Sequence, residues 1–224
     1  MKQQFVETIK IKNGKALALP YHQARMDRTI SHLLSISHFS FENHFSFENH
    51  FSFLISNFSF LPSFSFLISH FNHLSPTPEM DLYKARMVYG VQGVETIEYA
   101  PYKMKEIHSL KVVKNDDIDY TYKSTDRSQL NALAAQKGDC DEIIIVKNGL
   151  LTDTSFTNLA LYDGSSWLTP KHPLLHGTKR AQLLEAGIIR EADLTLEDLQ
   201  RAQKVSLFNA MIDFGECEVS EIIL

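Results

Sequence analysis

The chain reads as an α+β protein of two domains, and three observations lead there. Strand-like and helix-like stretches are mixed without the strict alternation that a doubly wound sheet requires. Asn-Gly and Gly-x-x-Gly turns mark hairpins, which need antiparallel neighbours. The character of the sequence changes near Glu106, which divides a small α+β domain (1–105) from a larger one (106–224).

Each element follows from its local pattern. Phe5 to Ile11 alternates as a strand, Asn13-Gly14 is a hairpin turn, and Lys15 to Leu19 is the return strand. Tyr21 to Leu34 has helical spacing, with Pro20 at its start. Leu82 to Tyr89 and Val94 to Tyr102 are strands joined by Gly90-Val-Gln-Gly93. In the larger domain Ile107 to Val113 is a strand, Ser128 to Lys137 a helix, and Glu142 to Val146 a strand turning at Lys147-Asn-Gly149. Leu150 to Thr152 and Asn158 to Tyr162 continue the sheet. A helix over Arg180 to Ala186, a strand over Ile188 to Ala192 and a helix over Leu196 to Ala202 follow. Lys204 to Phe208 and Glu216 to Ile223 are the last strands.

One segment is unlike the rest. His38-Phe-Ser-Phe-Glu-Asn43 repeats at His44 and then degenerates through further Phe-Ser-Phe units, so that eleven of the fifteen phenylalanines lie between Phe39 and Phe71. The six-residue unit is far shorter than solenoid repeats. It reads as a tandem expansion, a low-complexity Phe-rich insertion over about 36–76. Self-shielding hairpin strands and a membrane or partner contact are the competing readings. The repeat itself accounts for His38, His44 and His50, so no metal is inferred from them.

Composition removes several function classes. The 224 residues are 44% hydrophobic and 22% charged, the balance of a globular protein. A net charge of -5 gives no basic surface for nucleic acid and no polybasic run for a membrane. Cys140 and Cys217 lack metal-ligand spacing, and a reduced cytoplasmic setting is the simplest expectation. The first residues have no signal-peptide core, and no apolar run is long enough to span a bilayer.

Three features carry chemistry. Gly177-Thr178-Lys179 opens a helix, where free N–H groups and the helix dipole attract an anion, and Arg25 offers a planar cation. Lys123, flanked by Tyr120 and Tyr122, is a candidate nucleophilic amine. Asp153, between two strands, is a candidate partner for a ring nitrogen. Taken singly, Gly177-Thr178 is also an ordinary N-cap, Arg25 a solvated helix charge and Asp153 equally a turn aspartate, while Lys123 reads better as an exposed loop lysine. Together they are what a protein needs to hold pyridoxal 5'-phosphate (PLP).

Their order and spacing resemble the fold-type IV PLP enzymes, which include branched-chain and D-amino-acid aminotransferases and aminodeoxychorismate lyases. The resemblance is carried by Phe5-Val-Glu-Thr8, His22-Gln-Ala-Arg25, Lys123, the Asp153 to Asn158 run, Leu168-Thr-Pro170 and Leu174-Leu-His-Gly-Thr-Lys-Arg180. It implies a small α+β domain, a larger domain with a barrel-like sheet, PLP as cofactor and a homodimer. It further implies that Lys123 binds the cofactor covalently and moves the substrate's proton. Asp153 would face the pyridine nitrogen, where the family usually has a glutamate, and Leu175 would pack on the ring. Gly177, Thr178 and Lys179 would cradle the phosphate with Arg25. Asn209 and Ala210 fall at a second phosphate-side loop where a hydroxyl is usual and here is missing. Thr8, Arg86 and Tyr89 would meet the substrate.

Phe-Val-Glu-Thr8 resembles the start of aminodeoxychorismate lyases, and without the insertion the chain is short, as those lyases are. The expected reaction is 4-amino-4-deoxychorismate to 4-aminobenzoate and pyruvate, a step of folate biosynthesis. A branched-chain or D-amino-acid aminotransferase of the same fold is the alternative, and a non-catalytic relative the second.

Overall fold

The computed structural model describes residues 3–39 and 82–224, with backbone alone at 36–39. The chain divides into two compact units, Met1–Tyr102 and Lys103–Leu224.

In the first unit β1 (Phe5–Lys12) and β2 (Lys15–Ala16) form the expected hairpin. Asn13 and Gly14 both take positive φ, 50° and 73°, the requirement of a tight two-residue turn. The return strand is shorter than its sequence suggests because Ala18 turns to φ 59° and leads into α1 (Leu19–Phe39). That helix runs on through 36–39, the first residues of the expected insertion. The remainder of the repeat lies outside the described residues. With β3 (Leu82–Gly90) and β4 (Gly93–Pro101) the strands make an antiparallel sheet in the order β2-β1-β3-β4. Phe5, Ile9, Ile11, Met26, Ala85, Met87 and Tyr89 are its buried core.

The second unit contains two sheets. Its elements are β5 (Ser109–Lys114), α2 (Ser128–Ala134, ending in a 3-10 turn over Ala135–Lys137), β6 (Glu142–Lys147), β7 (Leu150–Leu151), β8 (Asn158–Tyr162) and β9 (Trp167–Pro170). They continue with α3 (Thr178–Glu185), β10 (Arg190–Ala192), α4 (Leu196–Arg201), β11 (Lys204–Phe208), β12 (Glu218–Val219) and β13 (Glu221–Ile223). One sheet runs β13-β5-β6-β7 and the other β10-β9-β8-β11-β12. The uninterrupted Ile143-Ile-Ile-Val146 run is explained by burial on both faces of β6. Ile144 and Val146 pack with Leu159, Leu161, Val205 and Leu207, whereas Ile143 and Ile145 pack with Val113, Ile118, Leu130 and Leu133. Each such side chain contributes roughly 1.5–3 kcal/mol through burial.

The single strand expected over Glu216 to Ile223 is two strands. β12 pairs antiparallel with β11, and β13 pairs parallel with β5 in the other sheet. The break falls at Ser220, where the N–H groups of Ser220 and Glu221 and the Ser220 hydroxyl all donate to the His108 carbonyl. Among the described residues no helix is long and apolar enough to cross a membrane.

Candidate cofactor site

The site is built around the turn between β7 and β8. The β6–β7 ladder continues beyond Leu151, because Thr152 N–H donates to Ile145 O and Ile145 N–H to Asp153 O. This carries Asp153 into the interior, where it is 5% exposed. The next residues close a tight turn, with Thr154 N–H donating to Thr157 O and Thr157 N–H to Thr154 Oγ1. Asp153 Oδ1 accepts from Asn158 Nδ2 at 2.7 Å, and Oδ2 from the Leu175 N–H at 2.8 Å. Burial pushes its carboxyl up to about 7, against the pull of the Leu175 N–H, the Asn158 amide and the Arg180 charge. Both of these contacts are hydrogen-bond donors, so the pocket is shaped for a carboxylate. A cation beside it would restore the ionised form.

Asn158 links that carboxylate to the start of α3. Its Nδ2 donates a second bond to Leu175 O at 2.9 Å. Its Oδ1 lies where a Cβ on residue 177 would come within 2.0 Å, which is why Gly177 has no side chain. Gly177 is the N-cap of α3, and no side chain caps this helix. Thr178 is buried, and its hydroxyl has no hydrogen-bond partner. Lys179 directs its amine 2.6 Å from Asp213 Oδ1, so any anion contact it makes at the helix start falls to its backbone. Arg180 is buried between Pro170 O, at 2.8 Å, and Glu191 Oε1, at 2.6 Å.

The loop after β11 reaches the same turn. Asn209 Nδ2 donates to Phe156 O at 3.2 Å, while its Oδ1 accepts from the N–H groups of Met211 and Ile212. Neither Asn209 nor half-buried Ala210 brings a hydroxyl.

Lys123 is half-buried and takes φ 49°, a left-handed conformation that costs a non-glycine residue roughly 1–2 kcal/mol. Its N–H faces the Tyr120 carbonyl at 3.4 Å. Arg127, four residues on, donates through Nη2 to Ser155 O at 2.8 Å, which ties the lysine loop to the turn that follows Asp153. One turn, 153–158, thus receives the lysine loop, the start of α3 and the loop after β11.

The other expected residues belong to the first unit. Arg25 donates through Nε to Glu7 Oε1 at 2.8 Å and pairs through Nη2 with Glu7 Oε2. His22 Nδ1 lies 2.6 Å from the same carboxylate. Glu7 is fully buried; burial raises its pKa, but Arg25 and His22 outweigh that and hold it at about 2. Thr8 and Arg86 face each other in the β1–β3 register, and Arg86 lies 3.5 Å from Glu98 on β4. Tyr89, expected beside them at the substrate, is instead a core residue. Strand alternation places it opposite Phe5, with ring centres 5.9 Å apart, on the face that carries Glu7 and away from Thr8 and Arg86. It is 0% exposed.

Three features of the second unit fit a phosphorylated pyridine. They are an uncapped helix start over a glycine that admits no Cβ, a buried hydroxyl without a partner, and a buried carboxylate served only by donors. The model of the family described as amino-transferase class IV matches residues 91–219. The chain belongs to the class IV aminotransferase family. This is a family of PLP-dependent enzymes, and the fold here is the family's mixed α+β arrangement of curled half-barrel sheets with few helices. This family member is 42% identical over 137 residues to an uncharacterized protein of Haemophilus influenzae, covering 61% of this chain and 72% of that one. It is 30% identical over 126 residues to a Schizosaccharomyces pombe protein named "Putative aminodeoxychorismate lyase", covering 52% and 54%. The crystal structure of a "putative 4-amino-4-deoxychorismate lyase" from Haemophilus somnus superposes with a TM-score of 0.76 at 31% identity, over 95% of this chain and 98% of that one.

Three residues that hold the turn at 153–158 in place were not among those the sequence singled out: Asn158, Arg127 and Ser155. Asn158 was quoted within a motif but given no role, and its signal is an amide at the first residue of a buried strand. Arg127 and Ser155 meet through a backbone carbonyl, which leaves no local pattern.

Proposed function

We propose that the protein is a PLP-dependent lyase that converts 4-amino-4-deoxychorismate to 4-aminobenzoate and pyruvate. The observation that carries the reading is the convergence of Asp153, Leu175 and Gly177 on the Asn158 side chain, beside the unpartnered Thr178 hydroxyl at the start of α3. The similarity over almost the whole chain to the Haemophilus somnus protein supports the choice of reaction.

PLP, when bound, supplies an aldehyde for the amines and an electron sink for the charge left when a bond to Cα breaks. The residues of the chain do the rest. The Lys123 amine binds the cofactor, then takes the proton from the substrate's Cα and returns a proton after cleavage. Asp153, as the carboxylate, holds a proton on the ring nitrogen. The shorter aspartate does the work of the family's usual glutamate because the β6–β7 ladder carries it inward and two donors fix its oxygens. Leu175 packs on the ring. The Thr178 hydroxyl and the N–H groups of Thr178 and Lys179 hold the phosphate, with backbone from Asn209 and Ala210 on its other side. Thr8 and Arg86 are assigned to the substrate.

The two products together hold all the atoms of the substrate, so the lyase requires no amino acceptor. That separates it from a transaminase by experiment. Purified protein with PLP should release pyruvate and 4-aminobenzoate in equal amounts from 4-amino-4-deoxychorismate alone. Amino transfer to 2-oxoglutarate without that release would replace the reading with an aminotransferase. We place the working protein in the cytoplasm as a homodimer, and light scattering of the PLP-loaded protein tests the dimer.

A further inference from the structure

The loop that carries Lys123 is closed by a clasp to which the proposed chemistry gives no role. The Tyr120 hydroxyl donates to the Ser124 carbonyl at 2.9 Å, and so spans Lys123. Arg127 Nη1 donates to that hydroxyl at 3.2 Å, and the guanidinium carbon stands 5.4 Å from the centre of the Tyr120 ring. Its other arm, Nη2, reaches Ser155 O at 2.8 Å, two residues past Asp153. A planar fork can serve two acceptors in fixed directions at once, which a lysine ammonium cannot do with the same geometry. Lys123 itself has left-handed backbone, a conformation that persists only where its surroundings enforce it.

Resting on the functional reading above, we propose that Arg127, acting with Tyr120, is a positioning residue for Lys123. It touches neither cofactor nor reacting atoms. It locks the backbone bearing the amine to the turn that bears the ring-nitrogen partner, so that both reach the cofactor in one arrangement. Deleting one arm or its receiver should disable the clasp as a whole, because one guanidinium bridges the lysine loop and the turn only while both arms are engaged.

The test uses the full chain and four variants: Arg127→Ala, Arg127→Lys, Tyr120→Phe and the Tyr120→Phe/Arg127→Ala pair. Each is incubated with PLP and cyanoborohydride, and pyridoxyl-lysine is mapped by peptide over time, with exposed lysines as internal controls. Urea unfolding is followed in parallel. Arg127→Ala should slow labelling of Lys123 by about tenfold, the worth of one charged hydrogen bond, and leave the control lysines unchanged. Arg127→Lys should restore only part of the rate, and the double variant should be no slower than Arg127→Ala. Wild-type labelling in folded Arg127→Ala overturns the proposal, as does a double variant whose losses multiply. If Arg127→Ala does not fold, Tyr120→Phe decides, and a wild-type rate there overturns it. Absence of label on Lys123 in the wild-type protein sinks the functional reading and this proposal together, which distinguishes that failure from failure of the clasp alone.

Discussion

The backbone N–H of Leu175 donates to Oδ2 of Asp153 at 2.8 Å, across 22 residues of chain. This bond joins the buried Asp153 carboxylate to the segment that becomes the start of α3. It also places a buried acid where only donors meet it.

The first prediction concerns the pH dependence that follows from Asp153. Its carboxyl stands at about 7 when folded and near 3.8 when unfolded. Between those values the folded protein holds the extra proton, so stability from this group is full below the lower value and is lost as the pH rises through the upper one. The loss is on the order of 4 kcal/mol at most. PLP-free wild-type protein should therefore unfold in less urea at about pH 7.5 than at about pH 5, and Asp153→Asn should remove most of that slope. Parallel pH profiles for the two proteins would contradict the assignment.

Thr178→Val should act with opposite signs on stability and binding. The hydroxyl is buried without a partner, which costs about 1–3 kcal/mol, and valine has nearly the same shape without it. The PLP-free variant should melt no lower than wild type, while its affinity for PLP falls by about tenfold. Thermal unfolding and equilibrium dialysis measure the two. A lower melting point with unchanged affinity would reassign the hydroxyl to packing.

Gly177→Ala should destabilise by about 1–3 kcal/mol, because the added methyl meets Asn158 Oδ1 at 2.0 Å. The Asn158 side chain would have to abandon Asp153 and Leu175 to make room. In an Asn158→Ala background the same substitution should cost far less. Equal costs in both backgrounds, read from urea midpoints, would show that the clash lies elsewhere.

Glu7→Gln tests the buried network of the first unit. It leaves Arg25 without its counter-charge and should cost about 3–5 kcal/mol. The sign is opposite to that of Asp153. Glu7 is held at about 2 against an unfolded value of 4.5, so its contribution is present above 4.5 and is lost as the pH falls toward 2. Acid titration followed by circular dichroism should show wild type losing stability through that window, with a flatter profile for the variant.

What could be read from the sequence was whatever leaves a local imprint. Asn13-Gly14 and Asn148-Gly149 set their turns through positive φ, and the structure has both. Glu142 to Val146 announced a strand, and the structure adds that it is buried on two sides. Gly177-Thr178 announced a helix start, though not why the glycine is needed, since the crowding atom comes from Asn158. Tyr89 turns into the core because it pairs with Phe5, and strand alternation puts that face opposite the one carrying Thr8 and Arg86. The final strand divides at Ser220, where the Cys217/Val219 alternation gives way to Glu221 and the His108 carbonyl draws in the N–H groups of Ser220 and Glu221. Arg127 escaped notice because its acceptor is a main-chain oxygen 28 residues away.

The central claim is that one amine, that of Lys123, binds PLP covalently. Reduction of the PLP-incubated protein with borohydride, followed by peptide mapping, tests it most directly. The account predicts pyridoxyl-lysine at position 123, absent from Lys123→Ala under the same conditions. Label confined to other lysines, or none on the folded protein, would contradict it.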